Sequence, residues 1–231
     1  MITNTDSIAS LMDELSSKVG SDQDLYLIGG GAMMFMGSKA ATKDVDLVVR
    51  GESAYTAVRT ALMDMGFKSI RPGAEYARMN LSDMLEREDG FRIDLFDTRV
   101  CGRLGLSEEM ASRTAQRYSK GGVRLLSCSG SDILIFKSIT SRNGDLEDCI
   151  QLIEMNQVDW KVVMEEILVQ IESGEEVWIT WMAERLNLLS ESMGVSIPIL
   201  RRINRLADEY LERWEKELLD RTGISPSDLP E

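Results

Sequence analysis

Apolar residues recur at Ile8, Leu11, Met12 and Leu15, the spacing of one helix face, with Asp6 placed to cap the helix and Gly20 to end it. The run Leu25-Tyr26-Leu27-Ile28 has no such period and reads as a short strand. Gly29-Gly30-Gly31 interrupts it, and Ala32 to Met36 resumes as helix up to Gly37. Val45 to Val49 predicts a second strand. Val58, Leu62 and Met65 share one face of a helix over about 53–65. Phe67–Ile70, Tyr76–Leu81 and Arg92–Phe96 are further candidate strands, the charged stretch 82–90 reads as a turn, and the character of the chain changes after Val123-Arg124-Leu125-Leu126.

After residue 130 the strand pattern stops. Helical spacing runs through 131–141, 144–156, 159–173, 176–192 and 197–220, with breaks at Asn143-Gly144, Asn156, Ser173-Gly174 and Gly194. Pro198 suits the first turn of the last helix, and Thr222 to Glu231 reads as a cap or frayed end. The expectation is an α/β unit with a mixed sheet over residues 1–130, then an α-helical unit over 131–231.

Composition narrows the chemistry. The chain has 231 residues, no histidine and three cysteines. The absence of histidine removes Ser-His-Asp and Cys-His catalysis and histidine-bound metals. Acid–base or metal chemistry must then come from carboxylates, lysine, tyrosine or water, and oxygen ligands favour hard cations such as Mg²⁺ or Mn²⁺. Cys101, Cys128 and Cys149 are odd in number and widely spaced, which fits neither a disulfide framework nor a zinc site. No apolar run is long enough to span a membrane and no signal peptide is visible, so a cytoplasmic protein without membrane partners is expected.

The residues that carry chemistry are grouped. Asp44 and Asp46 open the strand Leu47-Val48-Val49, and residues two apart on a strand point to one side. Paired carboxylates repel each other unless a cation lies between them. Gly29 and Gly30, where a strand meets a helix, let backbone N–H groups approach an anion. Asp94 lies between apolar strand residues, where an unpartnered charge is costly and a shared metal would be its partner. An Asp-x-Asp or a Gly-Gly alone is usually a turn. The combination points to a metal–nucleoside triphosphate site.

Ile28-Gly29-Gly30-Gly31-Ala32 and Thr42-Lys43-Asp44-Val45-Asp46-Leu47, with the later strand residue Asp94, resemble the DNA-polymerase-β-like nucleotidyltransferase superfamily. The text is most similar to the AbiEii-type toxin nucleotidyltransferases and their archaeal and bacterial relatives. The resemblance covers roughly residues 20–155. It implies the nucleotidyltransferase fold, metal ligation by Asp44, Asp46 and Asp94, catalytic roles for these and Lys137, and nucleotide contacts from Gly29, Gly30, Gly31 and Lys43. The family's Asp-x4-Lys is matched by Asp132 and Lys137. Its basic residue followed by Asp-x-x-Asp is matched by Arg142, Asp145 and Asp148, with glycine at 144 in place of the family's lysine. Asp132, Asp145 and Asp148 equally suit helix starts, and Lys137 an ordinary helix position.

The expected function is transfer of a nucleoside monophosphate from an NTP to a hydroxyl acceptor, tRNA or protein, with an antitoxin or other protein as partner. The second reading is a noncatalytic relative that binds nucleotide or a protein through its acidic helices. Net charge is −13, which opposes nonspecific nucleic-acid binding. The stretch holding Arg99, Arg103, Arg113, Arg117, Lys120 and Arg124 is nonetheless basic. It is the candidate RNA face, unless these residues neutralise the protein's own acidic helices.

Overall fold

The computed structural model describes residues 1–71, 83–100, 102–174 and 176–222. The candidate strand 76–81, Cys101 and the tail from 223 lie outside the described residues.

The chain opens with helix α1 (Thr5–Ser16), which buries Ile8, Leu11, Met12 and Leu15. Its cap is Asn4, whose side chain accepts from the Asp6 N–H, so Asp6 stands in the first turn rather than at the cap. Then come β1 (Gln23–Ile28), α2 (Gly29–Phe35), β2 (Val45–Val49), α3 (Glu52–Asp64), β3 (Lys68–Ile70), β4 (Asp83–Glu86) and β5 (Arg92–Asp97). β6 (Arg99–Val100) and β7 (Leu104–Gly105) form a small separate pair, followed by α4 (Glu108–Ser112), β8 (Ala115–Lys120) and β9 (Val123–Ser127). Stretch 82–90 is only partly a turn. Asp83–Glu86 pairs with β5, and the reversal follows at Arg87 to Gly90.

Seven strands form one mixed sheet in the order β3-β4-β5-β2-β1-β9-β8. β2 runs antiparallel to β1 and parallel to β5, and β1 runs parallel to β9. The strands β1, β2 and β5 carry the buried Leu, Ile and Val residues the sequence placed there, and β9 adds Val123 and Leu125. A strand covered on both faces shows this as a near-continuous apolar run. α1 packs on α2, α3 and strands β8 and β9, and α3 packs on β5.

The remaining helices are α5 (Gly130–Ser138), α6 (Asn143–Glu154), α7 (Trp160–Glu172), α8 (Trp178–Met193) and α9 (Leu200–Thr222). Pro198 sits in the turn before α9, not inside its first turn. α5 is the hub: every residue in it is buried, and it contacts α2, α6, α7 and α8. A helix apolar nearly all round must be enclosed by neighbours, and Ile133, Leu134, Ile135 and Phe136 supply that surface. The apolar core runs without a break from the sheet into these helices.

Candidate active site

The register of the sheet assembles the carboxylates. Asp46 lies opposite Asp94 across the parallel β2/β5 pair and opposite Ile28 across the antiparallel β1/β2 pair. Neighbouring strands are about 4.8 Å apart, and registered residues share a face. The end of β1, where Gly29 begins, and the starts of β2 and β5 therefore meet at one edge of the sheet. Asp44 stands just before β2. The Arg92 guanidinium spans it and Asp94, with Nε 3.4 Å from Asp94 Oδ1 and a terminal nitrogen 4.0 Å from Asp44 Oδ2.

The glycines fit this edge for steric reasons. Gly29 has φ +60°, and a methyl group there would overlap the Asp46 carboxylate. A methyl group on Gly30 would overlap the Thr42 hydroxyl. One on Gly31 would press toward Leu27 and Ile8, on the core side. Gly29 and Gly30 thus let the turn lie against Asp46 and Thr42. Gly29→Ala is expected to cost about 1–2 kcal/mol from the left-handed backbone alone and to push the Asp46 carboxylate aside. Differential scanning fluorimetry and metal titration should both report the change; a variant with unchanged metal affinity would show that the contact with Asp46 is not needed.

Electrostatics separates the three carboxylates. Burial, then the charges of Asp44 and Asp94, push the Asp46 carboxyl well above the usual carboxylate range, with Lys137 and Arg142 only partly offsetting them. Asp94 is raised to about 6 by burial and by Asp44, against the opposing charge of Arg92. Among the described residues no side chain donates a hydrogen bond to Asp46. A half-buried carboxylate with two like charges beside it and, among the described residues, no side-chain donor fits an oxygen-seeking cation. Asp44 and Asp46, with Asp94 beside them, are the residues fit to hold one. Among the described residues no three such side chains already close around an ion position.

A second charged cluster lies behind this edge, linking α5, α6 and the loop after α2. Lys137 Nζ binds Asp145 Oδ1 at 2.8 Å and Asp148 Oδ2 at 2.7 Å. Arg142 Nε binds Asp145 Oδ2 at 2.7 Å, and the Thr140 hydroxyl donates to the same oxygen at 2.6 Å. Lys39 Nζ binds both oxygens of Asp148, at 2.5 and 2.7 Å. Burial alone would raise the Asp145 carboxyl, but Lys137 and Arg142 outweigh it and hold it down at about 2. Burial likewise opposes the Lys137 charge, and Asp145 and Asp148 overcome it, so its pKa lies above the ordinary lysine value.

Asp132 is not part of that cluster. Residues five apart on a helix point about 140° apart, and Asp132 reaches Arg113 instead, at 2.6 Å. Lys43 is exposed on the loop leading into β2. The basic stretch does not form one free face. Arg113 also binds Glu166, Lys120 binds Asp13, and Arg124 binds Asp24. Arg99 donates to the Arg103 and Ser173 carbonyls. The Arg117 guanidinium stacks over Phe35 at 5.7 Å and that of Arg103 over Trp181 at 5.6 Å. Many of these cations are spent on the protein's own acids, rings and carbonyls.

Three residues that the sequence reading left out belong to the site's surroundings: Lys39, Thr42 and Arg92. Thr42 enters the sequence pattern only as the start of Thr42-Lys43-Asp44-Val45-Asp46-Leu47. Arg92 carried a usable signal, since it lies two residues before Asp94 on the same strand face. A cleft of about 630 Å³ opens between the end of α1 and α3, lined by Lys18, Gly20, Thr56 and Thr60 among others, and none of Asp44, Asp46 or Asp94 lines it. The carboxylate group stands where β1 ends and β2 and β5 begin, away from that cleft.

The family model described as a nucleotidyltransferase of unknown function (DUF6036) matches residues 6–186. No curated protein matches the sequence. Solved structures that match the chain include two at low identity. One is ANT(2″)-Ia in complex with adenylyl-2″-tobramycin, 13% identical, with 90% of this chain and 99% of that chain covered and a TM-score of 0.41. The other is JHP933 from Helicobacter pylori, 11% identical, with 93% and 100% covered and a TM-score of 0.40. Neither likeness bears on the site.

Proposed function

The chain belongs to a family of nucleotidyltransferases of unknown function, and from that premise we propose that it moves a nucleoside monophosphate from an NTP to a hydroxyl acceptor, releasing pyrophosphate. The observation that supports this reading is the convergence of Asp44, Asp46 and Asp94 beside the Gly29-Gly30 turn. We assign the chemistry to residues 1–130, with the helical unit 131–231 supporting it through Lys137, Asp145 and Asp148. We place the reaction in the cytoplasm, where NTPs are supplied.

Nucleotidyltransferases generally use divalent metals, and the all-carboxylate donor set here suits Mg²⁺ or Mn²⁺. Asp44 and Asp46, with Asp94 beside them, would hold such an ion, which would supply charge neutralisation at the triphosphate and lower the cost of deprotonating the acceptor hydroxyl. Gly29 and Gly30 carry no side chain of their own, and we assign their backbone N–H groups to the phosphate oxygens. Asp94, at about 6, is ionised at neutral pH and basic enough to take the proton of the attacking hydroxyl. The acceptor oxygen forms its bond to the α-phosphorus as the bond from that phosphorus to the bridging oxygen breaks. The electron pair leaves with pyrophosphate, and the proton passes to Asp94. Lys137 acts as a positioning residue: it fixes Asp145 and Asp148, and its charge favours ionised Asp46.

The acceptor is a hydroxyl on tRNA or on a protein, and in the toxin-like form of this reading a second protein acts as antitoxin. The test is incubation of the purified chain with Mg²⁺ and each α-³²P-labelled NTP, with total tRNA or a cell extract as acceptor. Label should appear in one acceptor class, with equimolar pyrophosphate. Nucleotide binding without pyrophosphate release in any mixture would favour the noncatalytic reading instead.

A further inference from the structure

We propose that Lys39 is the cation that grips the triphosphate, held on Asp148 when no nucleotide is bound and passed to a phosphate oxygen when one is; this rests on the nucleotidyl-transfer reading above.

Three lysines lie near the site, and the structure separates them. Lys137 is enclosed, with 9% of its side chain accessible and two carboxylates on its nitrogen. Taking it away would strand buried charge. Lys43 is exposed and forms no ion pair among the described residues. Lys39 is intermediate, with 31% of its side chain accessible. Its stem passes the glycine turn: Cδ lies 3.7 Å from where a methyl group on Gly30 would stand. The loop that carries it is fixed at both sides. The Ser38 hydroxyl donates to the Met33 carbonyl, and Thr42 exchanges backbone hydrogen bonds with Ile2. The side chain can therefore move while its backbone stays in place.

The partner makes that movement cheap. Asp148 is bound by two lysines at once, Lys39 and Lys137. If Lys39 leaves, Asp148 keeps the Lys137 ammonium at 2.7 Å and is not stranded as an unpaired buried carboxylate. Exchanging a carboxylate partner for a more highly charged phosphate is then favourable, and the lysine swings as a point charge on a flexible stem. Asp148 lies on α6, so the same exchange carries nucleotide occupancy into the helical unit.

The test uses the full chain with Mg²⁺ and α,β-methylene analogues of the four NTPs, which cannot transfer, alongside inorganic tripolyphosphate and the NMPs. Lys39→Met is expected to weaken binding of the preferred NTP analogue and of tripolyphosphate by about tenfold or more, the scale of one charge-assisted hydrogen bond. NMP binding should stay unchanged, and Lys39→Arg should recover part of the loss. The Lys39→Met melting temperature should stay near wild type, because Asp148 remains paired. Wild-type affinity in Lys39→Met, or a loss for the NTP analogue but not for tripolyphosphate, overturns the assignment of Lys39 alone. Failure of wild type to bind any analogue removes the nucleotidyl-transfer reading, and this inference with it.

Discussion

Asp46→Asn is expected to lower nucleotidyl transfer by on the order of 10³-fold or more, and at neutral pH to make the metal-free protein more stable than wild type. The first effect follows from removing a charged ligand at the centre of the carboxylate group, where metal assistance is worth several kcal/mol and each 1.4 kcal/mol is about tenfold in rate. The second follows from the same charges. Asp46 is pushed well above the usual carboxylate range by burial, Asp44 and Asp94, and Asp94 is raised to about 6. Between about pH 4, where carboxyls of an unfolded chain ionise, and these raised values, the fold binds more protons than the unfolded chain. Stability contributed by the site therefore falls as pH rises through that window and stays low above it. Asparagine removes one charge and relieves the others. Melting curves in EDTA should show the variant above wild type at pH 7 and the two converging toward pH 4. For the same reason, a divalent ion should raise the wild-type melting temperature more at pH 7 than at pH 5. A variant that loses activity and also melts lower at pH 7 would show that Asp46 serves the fold and not the ion.

The candidate site was legible where strand pattern and charge contradict each other. Asp46 and Asp94 interrupt apolar strands that are otherwise almost fully buried, and in a single sequence that contradiction is visible. The strands β1, β2 and β5 and the helices α1 and α3 were legible for the complementary reason, since their apolar spacing matches their burial. The strands that stayed hidden lack such spacing. β8 reads Ala115-Gln116-Arg117-Tyr118-Ser119-Lys120, lies at the sheet edge and is mostly exposed, so hydrophobic pattern cannot mark it. β4 is four residues with acids at both ends; Tyr55 and Arg59 of α3 satisfy Asp83 from across the fold. Lys39 stayed hidden because a lysine in a polar loop carries no period. Its meaning comes from Asp148, 109 positions away. Lys137, Asp145 and Asp148 were legible as motif text, but their mutual pairing needs α5 and α6 to be side by side.

The basic stretch shows most sharply how charge in a sequence differs from charge on a surface, and Arg113 decides the matter. Its guanidinium binds Asp132 and Glu166, each at 2.6 Å, and both carboxylates have no accessible surface. Ser129 donates a further hydrogen bond to Asp132, and Ser107 and Gln170 donate to Glu166, while Gln170 also bonds both ways with the Gly105 backbone. The network fastens α4 and the β6–β7 pair to α5 and α7. Arg113→Met leaves two buried carboxylates facing one another without a cation, a loss of about 3–5 kcal/mol. At roughly 2–4 °C per kcal/mol for a chain of this size, the melting temperature should fall by about 6–20 °C. Adding Glu166→Gln to Arg113→Met should recover part of that loss, because the second change removes one of the stranded charges. Had Arg113 been an RNA contact, its loss would leave the fold intact and reduce the log–log salt slope of RNA binding by about 0.7–0.9. Calorimetry on the single and double variants, beside an RNA titration at several salt concentrations, separates the two. A single variant that melts with wild type while its RNA salt slope shrinks would make the basic stretch an acceptor face. A destabilised single variant partly rescued by the second change makes Arg113 the clamp between the sheet and its helices.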